Sequence, residues 1–133
     1  MLIQFTVENH RSIKNSTVIS FAASKDKSFD EYLLRPDEKK ALLPVLAIYG
    51  ANAAGKSNVL HAMMTMKEMV VGNAAKVSKG QKLPWEPFGG TKVPTSFEMV
   101  FIFREFVTRT VFLLMQRRFT KSIFTIGRMA VKP

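Results

Sequence analysis

The stretch IYGANAAGKSNVL, residues 48–60, constrains this chain more than any other. Gly50-Ala51-Asn52-Ala53-Ala54-Gly55-Lys56-Ser57 fits the pattern GxxxxGK[ST] at every fixed position. The context that confirms that pattern is a strand before it and a helix after it, and both flanks suit it in sequence. Ahead of it, LLPVLAIYG places Pro44 at a strand's first position and then a near-continuous apolar run, Val45 to Tyr49. A strand buried on both faces, as in a parallel sheet, reads this way. Behind it, Val59, Met63, Met66 and Val70 recur at helical spacing, and Leu60, Met64 and Val71 widen the stripe. Gly72-Asn73 supplies a stop signal. A strand, a tight glycine-containing loop and a helix are therefore expected in that order, in an α/β fold.

The residue types in the loop suit a phosphate cradle. Gly50 lets the chain leave the strand sharply, and Gly55 lets the backbone approach phosphate oxygens closely. Successive backbone N–H groups make an anion nest, to which the helix N-terminus adds its dipole. Lys56 would reach the β- and γ-phosphates, and the Ser57 hydroxyl would bind a Mg²⁺ that bridges them. The expected nucleotide contacts run through Gly50, Ala51, Asn52, Ala53, Ala54, Gly55, Lys56, Ser57 and Asn58, with ATP and Mg²⁺ as ligands and Ser57 as the metal-binding side chain.

Elsewhere the patterning is that of exposed-sheet strands. Leu2 to Glu8 alternates, with Ile3, Phe5 and Val7 on one face. Asn9-His10-Arg11-Ser12 supplies turn residues, and Thr17 to Ala23 forms a second strand, antiparallel to the first. Residues 24–41 are charged and irregular, with Pro36, and predict a surface loop with room for one helical turn. Residues 73–95 are rich in Lys, Gly and Pro and predict a long loop. Ser96 to Phe103 alternates again, with Phe97, Met99, Phe101 and Phe103 on one side and Glu98 facing away.

Composition sets the class. Apolar residues make up 47% and charged residues 23%, as in globular domains. The absence of cysteine excludes disulfides and thiolate metal sites. The first residues have no apolar core of signal-peptide length, and no apolar run is long enough to span a membrane, so a soluble cytoplasmic protein is expected. The net charge of +10 suggests an anionic partner, nucleic acid included, but residues 104–133 hold seven basic side chains against one acid and so supply +6 of it.

With the cradle and the first strand pair in view, a resemblance emerges. LIQFTVENHRSIKNSTVISF followed by LLPVLAIYGANAAGKSNVLHAM resembles the start of a bacterial AAA-type ATPase family whose heads are similar to ABC and SMC ATPases, with OLD-type nucleases as relatives. The likeness covers residues 1–103; His10 replaces a usual Phe and Ala54 a usual Ser. It implies a P-loop head that binds ATP and dimerises around two nucleotides. It further implies that Asn52 lies near the γ-phosphate, that Asn58 follows the motif as in the family, and that Arg11 touches a phosphate; a solvated turn residue is the alternative for Arg11. Phage defence or DNA processing is the setting the resemblance suggests. His10 and His61 have no carboxylate partner nearby in sequence and are read as packing or surface residues rather than catalytic ones.

The family's later elements are not identifiable. No apolar strand ends in Asp-Glu: those pairs occur only at residues 30–31 and 37–38, upstream of the cradle, and no acid follows Glu105. No catalytic residue is assigned, and whether the chain is an enzyme stays open. The basic segment 104–133 also departs from the family. Codons read one nucleotide out of register permit a continuation of the type "IRY-YGFSADAEAIYEEHFYNWPDGSKA", which looks like the family's own and restores acids. A shifted frame from Arg104–Glu105 onward is therefore expected, giving an N-terminal head part at 1–103 and an out-of-frame tail at 104–133. An authentic tail would instead place strands at Thr110 to Met115 and Ser122 to Ile126, with Arg117, Arg118 and Lys121 as a solvated or phosphate-binding face. A small basic nucleic-acid-binding module and a product with no function of its own are the competing readings.

Overall fold

The computed structural model describes residues 1–26, 28–37, 40–71, 86–103, 106–115, 118–120 and 129–130. Among the described residues it is a mixed α/β arrangement, an antiparallel sheet built from strands before and after one α-helix that backs it. Strand β1 spans Leu2–Glu8 and β2 spans Thr17–Ser20. They pair antiparallel, with Phe5 opposite Ile19 and Val7 opposite Thr17. A short hairpin follows, β3 (Leu34–Asp37) and β4 (Lys40–Leu42), after a single 3-10 turn at Asp30–Tyr32. The expected loop over 24–41 thus contains a small sheet of its own.

Helix α1 runs Lys56–Val71, and β5 covers Thr95–Phe103. β6 (Phe106–Met115) returns along β5 in an unbroken antiparallel register from Thr95↔Leu114 to Phe103↔Phe106. β7 (Arg118–Thr120) and β8 (Met129–Ala130) both pair with β6, so the main sheet reads β2-β1-β5-β6-β7 with β8 beside β6. Strand β6 takes in the strand that an authentic tail would place at Thr110 to Met115, although a strand here needs no selected origin. Val107, Thr108, Thr110 and Val111 are β-branched and pair along an available edge whatever frame encodes them. The strand considered at 122–126, the side chains Arg117 and Lys121, and the Gly72-Asn73 stop lie outside the described residues.

The core sits between the sheet and α1. Phe5 and Val7 from β1, Phe97 from β5, and Ala62 and Met66 from α1 are fully buried, with Val59, Met63 and Met69 packed against them. Val59, Met63 and Met66 keep the predicted spacing, Ala62 and Met69 join them, and the side chains of Val70 and Val71 lie outside the described residues. Two expectations fail. Leu60 and Met64, which widen the stripe in the sequence, are exposed, because the sheet meets only one side of the helix. The alternation in β5 also slips: Ile102 is buried and Phe103 exposed, opposite an irregularity in β1 between Leu2 and Gln4 that shifts the pairing.

The larger correction concerns the strand ahead of the cradle. Val45 to Tyr49 forms no strand, and Val45 and Tyr49 are 75% and 90% exposed. The described residues therefore do not make the parallel-sheet core of a P-loop NTPase fold. A doubly buried strand needs hydrogen-bonding neighbours and a layer on each face. Leu43 donates its N–H to the Phe21 carbonyl at 2.7 Å, and beyond it no described strand pairs with this run.

Candidate functional site

The cradle residues form a tight turn that opens directly into α1. Ala53 and Gly55 take positive φ, 64° and 88°. For Ala53 the left-handed conformation costs about 1–2 kcal/mol. Gly55 is required twice over: its φ favours glycine, and a Cβ there would stand 3.0 Å from the Ser12 hydroxyl oxygen. Its carbonyl accepts from the N–H groups of Asn58 (2.9 Å) and Val59 (3.2 Å), which starts the helix.

Lys56, the first helical residue, folds its side chain back over the loop. Its ammonium donates to the carbonyls of Gly50 and Ala51, both at 2.7 Å. The cation is thereby held at the loop it would serve rather than extended into solvent. Ser57 is exposed at the start of α1. Asn52 is exposed too, while Asn58 turns the other way and donates its side-chain amide to the Ser12 hydroxyl at 2.6 Å.

That contact ties the loop to the turn between β1 and β2. His10 and Ile13 exchange backbone hydrogen bonds (2.9 and 2.8 Å), leaving Arg11 and Ser12 at the corner, with Arg11 at φ 50°. Between this turn and the loop lies a cleft of about 380 Å³. Ser12–Asn15 and Thr17 form one wall; Ile48, Tyr49, Ala54, Gly55, Lys56 and Val59 form the other. Its charged lining side chains are Lys14 and Lys56, with no carboxylate among them, which suits an anion.

Arg11 is engaged elsewhere. Its guanidinium meets Glu86 at two points, Nε to Oε2 and an NH₂ group to Oε1 at 3.2 Å, and its backbone N–H donates to the Glu86 carbonyl at 2.7 Å. Hydrogen bonding from Arg11 holds the Glu86 carboxyl below its ordinary range. His10 is buried and packs edge-on against Phe97, ring centroids 5.2 Å apart. Burial first, and then the Arg11 charge, lowers its pKa; neither ring nitrogen has a hydrogen-bond partner. His61 is exposed.

Two features escaped the sequence. Asn9 is a buried hub: its amide donates to the carbonyls of Val93 (2.7 Å) and Pro94 (3.3 Å), and its side-chain oxygen accepts from the Phe88 N–H (3.2 Å) and the Thr91 hydroxyl (3.0 Å). The only local signal is an asparagine at a turn, where φ of 52° is tolerated. Ser12 facing Gly55 is the other, and nothing in the spacing announces it. Among the described residues no group of three His, Asp or Glu side chains could hold a metal ion, and no helix is long and apolar enough to cross a membrane. A magnesium ion held through the Ser57 hydroxyl and nucleotide phosphates needs no such group. No protein-family model matches the chain, and no curated protein matches it.

Proposed function

We propose that residues 50–58 bind the phosphates of ATP with Mg²⁺, as the Walker A loop of an ABC- or SMC-like ATPase head. The observation that carries this is the conjunction at one loop: GxxxxGK[ST] opening a helix, Gly55 left-handed, and the Lys56 ammonium held over the loop by the Gly50 and Ala51 carbonyls. Phosphate oxygens can replace those carbonyls as Lys56 acceptors, while the helix N-terminus adds its dipole. Ser57 and the phosphates would hold the metal, whose contribution is to neutralise charge on the β- and γ-oxygens.

Binding is the activity assigned; hydrolysis is not. The acids downstream of the cradle are Glu68, Glu86, Glu98 and Glu105, none of them in an Asp-Glu pair that closes an apolar strand, so no residue is assigned to activate water. A cytoplasmic setting and dimerisation through the head belong to the same reading. Its test is thermal unfolding against Mg²⁺–ATP concentration. A ligand that binds only the folded state raises Tm progressively. A rise abolished in Lys56→Ala supports the reading, and an unmoved Tm at saturating nucleotide refutes it.

A further inference from the structure

The Ser12 hydroxyl lines the cleft beside Gly55 and Lys56, and it is exposed. A hydroxyl has one proton to donate and lone pairs to accept with. Ser12 uses its oxygen to accept from Asn58 at 2.6 Å, and no described acceptor takes its proton. The neighbouring Thr17 hydroxyl differs: it already donates to the Asn15 carbonyl at 3.2 Å. The contact from Asn58 also orients the Ser12 oxygen against the loop, within 3.0 Å of the position a Gly55 Cβ would take.

We propose that Ser12 is a ligand-contacting residue of this cleft, donating its hydroxyl proton to a phosphate oxygen of the bound nucleotide. The inference rests on the phosphate-binding reading of residues 50–58. It assigns the β1–β2 turn as the second wall of the binding site, contributing a neutral donor opposite the Lys56 cation. Asn58 serves that wall by holding the hydroxyl in place.

The experiment is titration of a fluorescent ATP analogue with Mg²⁺ into wild type, Lys56→Ala and Ser12→Ala, the last also in an Asn58→Ala background. Loss of one neutral hydrogen bond predicts about a three- to tenfold weaker affinity for Ser12→Ala, and a smaller but persisting loss in the Asn58→Ala background, where the hydroxyl is no longer held. Ser12→Cys, a weaker donor of similar shape, should fall between wild type and Ser12→Ala, and it carries the comparison if the alanine variant folds poorly. An unchanged affinity in Ser12→Ala, with Lys56→Ala weakened, overturns the Ser12 proposal and leaves the cradle standing. An effect that vanishes in the Asn58→Ala background overturns direct contact in favour of positioning. Unchanged affinity in Lys56→Ala overturns the underlying reading instead.

Discussion

Arg11 and Glu86 stand 75 positions apart in sequence and meet in a two-point ion pair that fastens the β1–β2 turn to the segment entering β5. The backbone contact between the same residues adds a third tie. The Arg11 side chain is 27% exposed and that of Glu86 51%, so solvent screens the attraction.

The pair has a defined pH signature. The Glu86 pKa is lowered in the fold, so its stabilisation is present above the unfolded value near 4.5 and is lost as pH falls through the folded value. Glu86→Gln should cost about 0.2–1 kcal/mol at pH 7, as exposed pairs do. Urea unfolding of both proteins should show that gap narrowing in acid; a gap independent of pH contradicts the ion pair.

Asn9 should be more sensitive. Truncation to alanine strands the Thr91 hydroxyl and the carbonyls of Val93 and Pro94, and leaves a non-glycine residue at φ 52° without its compensating bonds. Asn9→Ala is expected to cost about 1–2 kcal/mol, since the partners it strands are only part-buried and water can reach some of them. A change under about 0.5 kcal/mol in the urea midpoint would remove Asn9 as the organiser of residues 86–95.

His10 sets the behaviour in mild acid. Its folded pKa lies below the ordinary 6.5, chiefly through burial; Arg11 and His61 push the same way and Glu86 opposes. The unfolded chain therefore binds more protons just below pH 6.5, so stability falls as pH drops through that value and is level above it. Unfolding at pH 7.5 and 5.5 should show this slope in wild type and a shallower one in His10→Leu. Equal slopes would mean the imidazole is solvated in the fold.

Much of this architecture was legible in the sequence, and the failures have physical causes. β1, β2, β5 and α1 are local patterns: alternation or helical spacing over apolar residues, closed by turn residues or by Gly55. The run Val45 to Tyr49 carries an equally strong local signal, yet strand formation depends on neighbours the described residues do not supply. At the site, the loop and Lys56 follow from the motif, whereas Ser12, Asn9 and Glu86 enter through contacts across the chain that no local pattern encodes.

The segment after Phe103 bears on stability. A tail that did not pack on the sheet would cost nothing on removal. The continuous pairing of β6 with β5 predicts otherwise: ending the chain at Phe103 bares an edge of β5, which should lower Tm and promote association through that edge. Unchanged Tm and solubility would show that β6 contributes no net stability.

Phosphate release should stay at background under Mg²⁺–ATP, since positioning a phosphoryl group without activating water leaves the chemical step unassisted. Steady turnover that disappears in Lys56→Ala would reveal a catalytic acid among residues not assigned that role.

The most direct test of the phosphate cradle is the equilibrium affinity for Mg²⁺–ATP of wild type against Lys56→Ala, measured by calorimetry. A charge-assisted contact of about 1.5–3 kcal/mol predicts roughly ten- to 150-fold weaker binding in the variant. Equal affinities in the two proteins would contradict the assignment of residues 50–58 as a nucleotide-binding loop.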